Sequence, residues 1–330
     1  MTMQGDLAEI FGLGVAKGPP VQVAAGWGGH NTVSRFVTST GVWALKRHGW
    51  RLPPNGASAF AIAFAVELDA CAGGVPMARP VPTTDGQCWA EIDGHLYRCH
   101  EWVDGQAKQN ETTSVLDAAA MGGIVAHLHG LRIPCPPPAS GAAGRGLGRQ
   151  RWENMAAAGH ARGAPWASRL SSTIQAFAAL DTQPGPTDGR GDEIIGSHGD
   201  LNAHNVLFTD GGLHLIDWDG AGRAWARWER ATYPLLWAQR DGGRYDPDAV
   251  VAFLRGYVEG GGTVEADDPA ALGCAPAALA PWVAQNIEMA VDRPTSQQDL
   301  LAGLLVDALV AMPRTVAIRQ VLLAECLDAL

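Results

Sequence analysis

One stretch constrains this chain more than any other: residues 194–222, IIGSHGDLNAHNVLFTDGGLHLIDWDGAG. Its first part, His198-Gly199-Asp200-Leu201-Asn202-Ala203-His204-Asn205, is rich in turn formers and precedes a short apolar run, Val206-Leu207-Phe208. Thr209-Asp210-Gly211-Gly212 is a turn signal, and residues 213–216 form a second apolar run. The pattern predicts a loop, a strand, a tight turn and a returning strand. A hairpin brings the chain back to its start, so Asp217 arrives beside Asp200 and Asn205. Two carboxylates and a carboxamide are hard oxygen donors. Converging on one point they suit Mg2+, which takes few protein oxygens and completes its shell with phosphate oxygens. A surface turn with Asx-type hydrogen bonds before an ordinary hairpin is the plainer alternative, but it does not account for the parts that precede it.

The first hundred residues predict short strands around one helix. Residues 32–37 and 42–46 flank Ser39-Thr40-Gly41, and residues 87–92 and 96–99 flank Asp93-Gly94, a favoured two-residue hairpin turn. Between them, residues 58–72 predict a helix that is apolar nearly all round, with Glu67 inside it and Gly73-Gly74 after it. Lys is scarce: Lys17, Lys46 and Lys108 are the only three. Lys46 at the end of an apolar strand therefore stands out. An unpaired buried charge is costly, and Glu67 is its expected partner, with Asp69 as the rival. Ahead of the first strand, the glycines of Gly26-Trp27-Gly28-Gly29-His30-Asn31 would let backbone N–H groups approach phosphates.

After Glu101-Trp102-Val103-Asp104-Gly105 the character changes. Ser114 and Asp117 form a capping-box pattern that opens a helix through Leu131, and Pro134-Cys135-Pro136-Pro137-Pro138 stops it. Residues 139–150 have linker composition, residues 151–180 predict helix, and the last third is mostly helical. It is expected to end in two helices, 299–312 and 314–330, separated by Pro313. His127 and His129 are expected to pack or cap rather than react.

The string H-G-D-L-x-x-x-N followed by I-D-W resembles the catalytic loop and metal-binding Asp of the protein-kinase-like fold, in the variant of the aminoglycoside phosphotransferase and choline kinase family. The resemblance covers roughly residues 20 to 240. It implies a two-lobed α+β fold: a small β-rich, nucleotide-binding lobe with one helix, residues 1–103, and a larger, mainly helical catalytic and substrate-binding lobe, residues 104–330. It implies transfer of a phosphoryl group from ATP or GTP to a hydroxyl of a small molecule. Asp200 would orient that hydroxyl and take its proton, while Asn205 and Asp217 would hold Mg2+. Lys46, fixed by Glu67, would neutralise phosphate oxygens. Gly28, Gly29 and Asn31 loosely fit the family's G-x-x-N phosphate loop, and backbone groups at Glu101 and Val103 would meet the adenine edge. His198 would tie the catalytic loop to the metal-site strand. Asp219 departs from the simplest pattern and is a second metal ligand, a substrate contact or a turn residue.

The net charge of −10 argues against a nucleic-acid partner and suits a cationic small molecule. From Asp241 onward there are 13 Asp/Glu against five Arg, so most of the negative charge lies there. Glu229, Asp246, Glu288, Asp292 and Asp299 are the acidic candidates. Gln285, Glu288 and Asp292 fall at helical spacings and can share a face near Trp282. With Asp200 and Asn202, Glu288 and Asp292 are the expected acceptor contacts, for an aminoglycoside, a related antibiotic or an amino sugar. Choline or ethanolamine, homoserine, methylthioribose and neutral sugars stay open as acceptors, and so does a plain solvated helix face. A non-catalytic binding module would be signalled by loss of Asp200, Asn205, Asp217 or Lys46, all of which are present. A protein kinase would carry an A-P-E-like segment after Asp217, which this chain lacks. The six cysteines are scattered without C-x-x-C spacing, so neither a zinc site nor a disulfide framework is expected. With no leader-like start and no apolar run of ~18 residues free of Gly, Pro or charge, the expectation is a cytoplasmic monomer or homodimer with no membrane partner.

Overall fold

The structure, a computed structural model, describes residues 3–25, 31–49, 56–136, 147–180, 183 and 193–330. It opens with helix α1 (Met3–Ile10), strands β1 (Val21–Ala25), β2 (Thr32–Val37) and β3 (Val42–His48), helix α2 (Gly56–Ala72), and strands β4 (Pro80–Val81), β5 (Ala90–Ile92) and β6 (His95–Glu101). The strands form one antiparallel sheet in the order β1-β2-β3-β6-β4, with β5 also paired to β6. The expected hairpin turn is present: Asp93 (φ 52°) and Gly94 (φ 73°) are both left-handed, as a type I′ turn requires.

Strand parity decides what each face of this sheet does. Successive side chains point to opposite faces. Leu45 pairs with Cys99, and both are buried with Leu7, Phe11 and Leu13 in the core beneath α1. Lys46 and Arg98, the next pair along, therefore face the other way, toward α2 and the second lobe. Helix α2 buries one face, where Ala63, Val66 and Ala70 join the largest core, which continues into the C-terminal lobe, while Ala65, Leu68 and Asp69 stay exposed.

The second lobe contains α3 (Val115–Gly130), α4 (Arg149–Ala161), α5 (Ala167–Ala179), β7 (Ile194–Ser197), β8 (Val206–Thr209), β9 (Gly212–Leu215), β10 (Gly222–Trp225), α6 (Ala226–Trp237), β11 (Gln239–Arg240), β12 (Arg244–Tyr245), α7 (Pro247–Glu259), α8 (Ala275–Asp292) and α9 (Ser296–Asp328). Both halves of the capping box form at α3: Asp117 N–H donates to Ser114 Oγ (3.1 Å) and Ser114 N–H to Asp117 Oδ2 (2.9 Å). Helices α3 and α7 touch backbone to backbone. A Cβ added at Gly122 would lie 2.0 Å from the Phe253 carbonyl oxygen, and one at Gly256 would lie 2.0 Å from that of Ala119.

Three expectations are corrected. Most of the expected linker lies outside the described residues, but its last two positions, Arg149 and Gln150, already belong to α4. Residues 151–180 are two helices, because the chain turns at Gly163 (φ 71°) ahead of Pro165. The last two helices are one: α9 runs unbroken through Pro313. Proline there removes one backbone donor and costs about 3 kcal/mol. Burial of Leu305, Val306 and Leu309 before it, and of Val316, Leu323 and Cys326 after it, offsets that cost. By length and composition α9 is also apolar enough to cross a membrane, which the sequence pattern did not suggest. In the fold it packs against both helical cores of the lobe.

Candidate active site

The site is built on the β8–β9 hairpin. Val206 pairs with Leu215 and Thr209 with Gly212, and Ile216 N–H donates to the Asn205 carbonyl (2.9 Å). That bond seats Asn205 against the residue just before Asp217. The preceding loop turns at Gly199, where φ is +79° and a Cβ would lie 2.7 Å from the Gly220 carbonyl oxygen. Only glycine fits there, which explains the H-G-D spelling.

His198 sits between the two halves. Its Nε2–H donates to the Ile216 carbonyl (2.9 Å), and its Nδ1 accepts from Asp200 N–H (3.3 Å). One donor and one acceptor nitrogen define a neutral imidazole, and complete burial lowers its pKa in keeping with that state. Asp200 is exposed and oriented from both sides. Asn202 Nδ2 donates to one carboxylate oxygen, and Asn205 Nδ2 donates to the other (2.9 Å) and to the Asp200 carbonyl (2.9 Å). Asn110 braces the same loop through Asn202 (3.2 Å) and the Ala203 N–H (2.8 Å).

Beneath the loop lies a buried polar anchor. Glu229 accepts from Ser197 Oγ (2.7 Å) and Tyr233 Oη (2.8 Å) and contacts His129 Nε2 (2.8 Å), while His129 Nδ1 meets Tyr257 Oη (2.9 Å). Glu229 is thus a structural acid and not part of an acceptor wall. Burial raises its pKa, but His129, Ser197 and Tyr233 more than reverse this and hold it below the usual range.

Across the junction between lobes, the Lys46 ammonium contacts Asp217 Oδ1 (2.6 Å) and the Asp219 carboxylate. Asp217 itself has a left-handed backbone, φ 64° and ψ 57°. The expected Lys46–Glu67 pair does not form. Glu67 is fully buried and binds the Arg98 guanidinium and His100 Nε2 (2.8 Å) instead. Arg98 reaches on to Asp219 Oδ1 (2.8 Å). Burial lowers the Lys46 pKa, but Asp219 and Asp217 outweigh it and hold Lys46 above its ordinary value. Burial raises the Asp219 pKa, and Lys46 and Arg98 overcome that to hold it well below the carboxylate range. Arg98 and His100 were legible only through strand parity: they alternate with Tyr97 and Cys99, which face the α1 core.

The other expected residues fall as follows. Asn31 accepts from Gly49 N–H (3.3 Å), tying the start of β2 to the end of β3. Gly28 and Gly29 lie outside the described residues. Glu101 N–H already donates to the Arg79 carbonyl (2.8 Å), so that donor is not free for adenine, and Val103 lies two residues on, partly buried. Glu288 is held by Arg151 in a two-pronged pair (2.7 and 2.8 Å). Asp246 caps α7 and pairs with Arg240, and Asp299 pairs with Arg162 and Trp166. Asp292 is exposed at the end of α8. Among the described residues no hydrogen bond or ion pair links α8 to the loop of residues 198–205, and no group of three or more His, Cys, Asp or Glu side chains could hold a metal.

The sequence matches the phosphotransferase enzyme family over residues 22–266. No curated protein sequence matches it. In fold it is similar to a spectinomycin phosphotransferase solved with ADP and spectinomycin, at 11% identity and a TM-score of 0.62, with 94% of this chain and 97% of that one covered. It is also similar to an amicoumacin kinase solved with AMP-PNP, Ca2+ and Ami, at 12% identity and a TM-score of 0.60, with 94% and 92% covered. A choline/ethanolamine kinase family protein from Mesorhizobium loti aligns at 15% identity and a TM-score of 0.57, with 98% of both chains covered.

Proposed function

This chain belongs to the phosphotransferase enzyme family; we propose that it is a small-molecule kinase that transfers the γ-phosphate of ATP or GTP, as the Mg2+ complex, to a hydroxyl of a small cationic molecule such as an aminoglycoside, a related antibiotic or an amino sugar. The observation that carries this is the junction itself: Lys46 of the N-terminal sheet meets Asp217, and the hairpin bearing Asp217 also fixes Asn205 against Asp200. In this reading residues 1–103 bind nucleotide and residues 104–330 carry catalysis and acceptor binding. The neighbours solved with nucleotide and a small molecule support the pairing of partners. All six cysteines are free thiols, which suits action in the cytoplasm.

The donor set fits Mg2+. Asp217 is half exposed, and the hydrogen bonds of Asn205 to Asp200 use Nδ2, so its carboxamide oxygen is not spent on them. Asp217 and Asn205 would hold the ion, with phosphate oxygens completing the shell. When bound, Mg2+ neutralises charge on the transferring phosphate. Asp200, held by Asn202 and Asn205, accepts a hydrogen bond from the acceptor hydroxyl, points it at phosphorus and takes its proton as the bond forms. Lys46 neutralises non-reacting phosphate oxygens, which requires it to leave Asp217. His198 keeps the loop and the metal-site strand in register.

The test is a coupled ADP/GDP-release assay with Mg2+ across aminoglycosides, other cationic antibiotics, amino sugars, choline and homoserine. One acceptor should stimulate release, and Asp200→Ala should lower kcat roughly 10²- to 10⁴-fold, the usual worth of a positioned general base, while nucleotide still binds. Full turnover in Asp200→Ala would overturn the assignment.

A further inference from the structure

We propose that Arg98 is a positioning residue that holds Glu67 and Asp219 and thereby frees Lys46 for nucleotide phosphates, so that Asp219 serves Arg98 and not a second metal ion. The proposal depends on the phosphotransferase function above. Its geometry starts with two cations side by side, since Lys46 and Arg98 are directly paired across β3 and β6. Like charges so placed repel unless an anion separates them. Asp219 does so, giving one oxygen to Lys46 and the other to Arg98. The second terminal nitrogen of Arg98 goes to Glu67, whose other oxygen meets His100. The planar fork of Arg98 thus serves two different carboxylates at once, which a single ammonium does poorly.

Exposure decides which cation can move. The Arg98 side chain is 2% exposed and Lys46 12%. Lys46 can turn to a phosphate while Arg98 keeps a charged hydrogen bond to each carboxylate, and Asp217, at 42%, is released at the same moment. Without Arg98, Lys46 would be the remaining permanent cation for Glu67 and Asp219 and would be trapped by them.

The experiment compares the full-length wild type with Arg98→Met, Arg98→Lys, Asp217→Asn, Asp219→Asn and Arg98→Met/Asp219→Asn. It reads KM and kcat for Mg-ATP and Mg-GTP, the half-saturating Mg2+ concentration, and the ligand-free Tm. Arg98→Met should raise the nucleotide KM about tenfold or more, with a smaller change in kcat, as loss of about one charged contact predicts. Arg98→Lys should recover part of this, and adding Asp219→Asn to Arg98→Met should restore affinity by releasing Lys46. Half-saturating Mg2+ should stay within about twofold in Asp219→Asn and rise more than about tenfold in Asp217→Asn, since carboxylates ligate the ion directly. An Asp219→Asn shift as large as that of Asp217→Asn, or an unchanged nucleotide KM in Arg98→Met, would overturn the proposal. If Arg98→Met does not fold, an unchanged KM in Arg98→Lys overturns it equally. Should the wild type bind no Mg-nucleotide, the phosphotransferase function fails first. The Tm losses of Arg98→Met and Asp219→Asn then still test the pairing: sub-additive losses in Arg98→Met/Asp219→Asn support it, and additive losses refute it.

Discussion

Glu67 and Glu229 are both buried carboxylates, at 0% and 2% exposure, and the molecule satisfies them by opposite means. Glu67 sits behind the lobe junction with a permanent cation, Arg98, and an imidazole. Glu229 sits beneath the loop of residues 198–205 with two hydroxyls and an imidazole, and no Arg or Lys among the described residues. Either solution avoids the cost of a lone buried charge. The first is a chain of charges ending at the half-exposed Asp217, so its outer member can exchange partners when a charged ligand arrives. The second is a cage of short, directed hydrogen bonds, each from a group locked in the core, and it can only hold its shape. The lobe junction is a relay of charges open to solvent at one end, and the floor beneath Asp200 is a closed set of hydrogen bonds.

Breaking the first arrangement should cost most. Glu67→Leu leaves Arg98 buried with one partner gone, and about 3–5 kcal/mol of stability should be lost in urea unfolding, the usual result of halving a buried pair. A loss below about 1 kcal/mol, the range of exposed pairs, would show that Arg98 reaches water.

Acid should weaken both arrangements in the same direction. His48 and His198 are buried with lowered pKa values, His48 to about 4 from 6.5, burial being the main cause. Below 6.5 the unfolded chain binds protons that the folded chain refuses, so the folded state loses stability as pH falls. Glu67 and Glu229, also held low, are deprotonated in the fold below the pH at which the unfolded chain takes up protons. Their contribution is complete above about 4.5 and is lost at lower pH. Tm should fall steadily from pH 7 to pH 4 and should not fall between pH 7 and pH 8. A flat profile from pH 7 to pH 5 would contradict the burial of the two histidines.

Glu229→Gln keeps the shape of the cage but turns one acceptor into a donor facing hydroxyls. About 1–3 kcal/mol should be lost, and kcat should fall with little change in nucleotide KM, the reverse of the pattern at Arg98. Tyr233→Phe removes one of the cage's hydrogen bonds and should cost about 1 kcal/mol. Glu288 is the control, an exposed carboxylate paired with Arg151. Glu288→Ala should cost less than about 1 kcal/mol, and an increased acceptor KM would return it to the acceptor site.

The part of the site carried by the hairpin was legible because its determinants are close in sequence. Asp200, Asn205 and Asp217 span 18 positions, and turn chemistry alone folds them together. The pairing of Glu67 was not legible, because its partners lie 31 and 33 residues away and reach it only through the face of β6 on which they fall. Composition misled in the same way at the acidic C-terminal third. Glu288 and Asp299 each meet an Arg 137 residues upstream, so charge counted along the chain overstated charge left for a ligand. Pro313 was misleading for an energetic reason, since the apolar burial on either side of it outweighs one missing hydrogen bond.

The contact between α3 and α7 has a consequence for how this sequence can drift. His129 on α3 and Tyr257 on α7 complete the cage around Glu229, and the spacing of the two helices is set where Gly122 and Gly256 meet the opposing backbone. A side chain can be trimmed or rotated to absorb a neighbour's change, but a backbone cannot. In a saturation library these two glycines should tolerate not even alanine, although neither carries any chemistry, while exposed positions such as Asp292 should accept most replacements. Sequence divergence is thus channelled to exposed outer positions, and the spacing of the cage around Glu229 is inherited through two residues with no side chain.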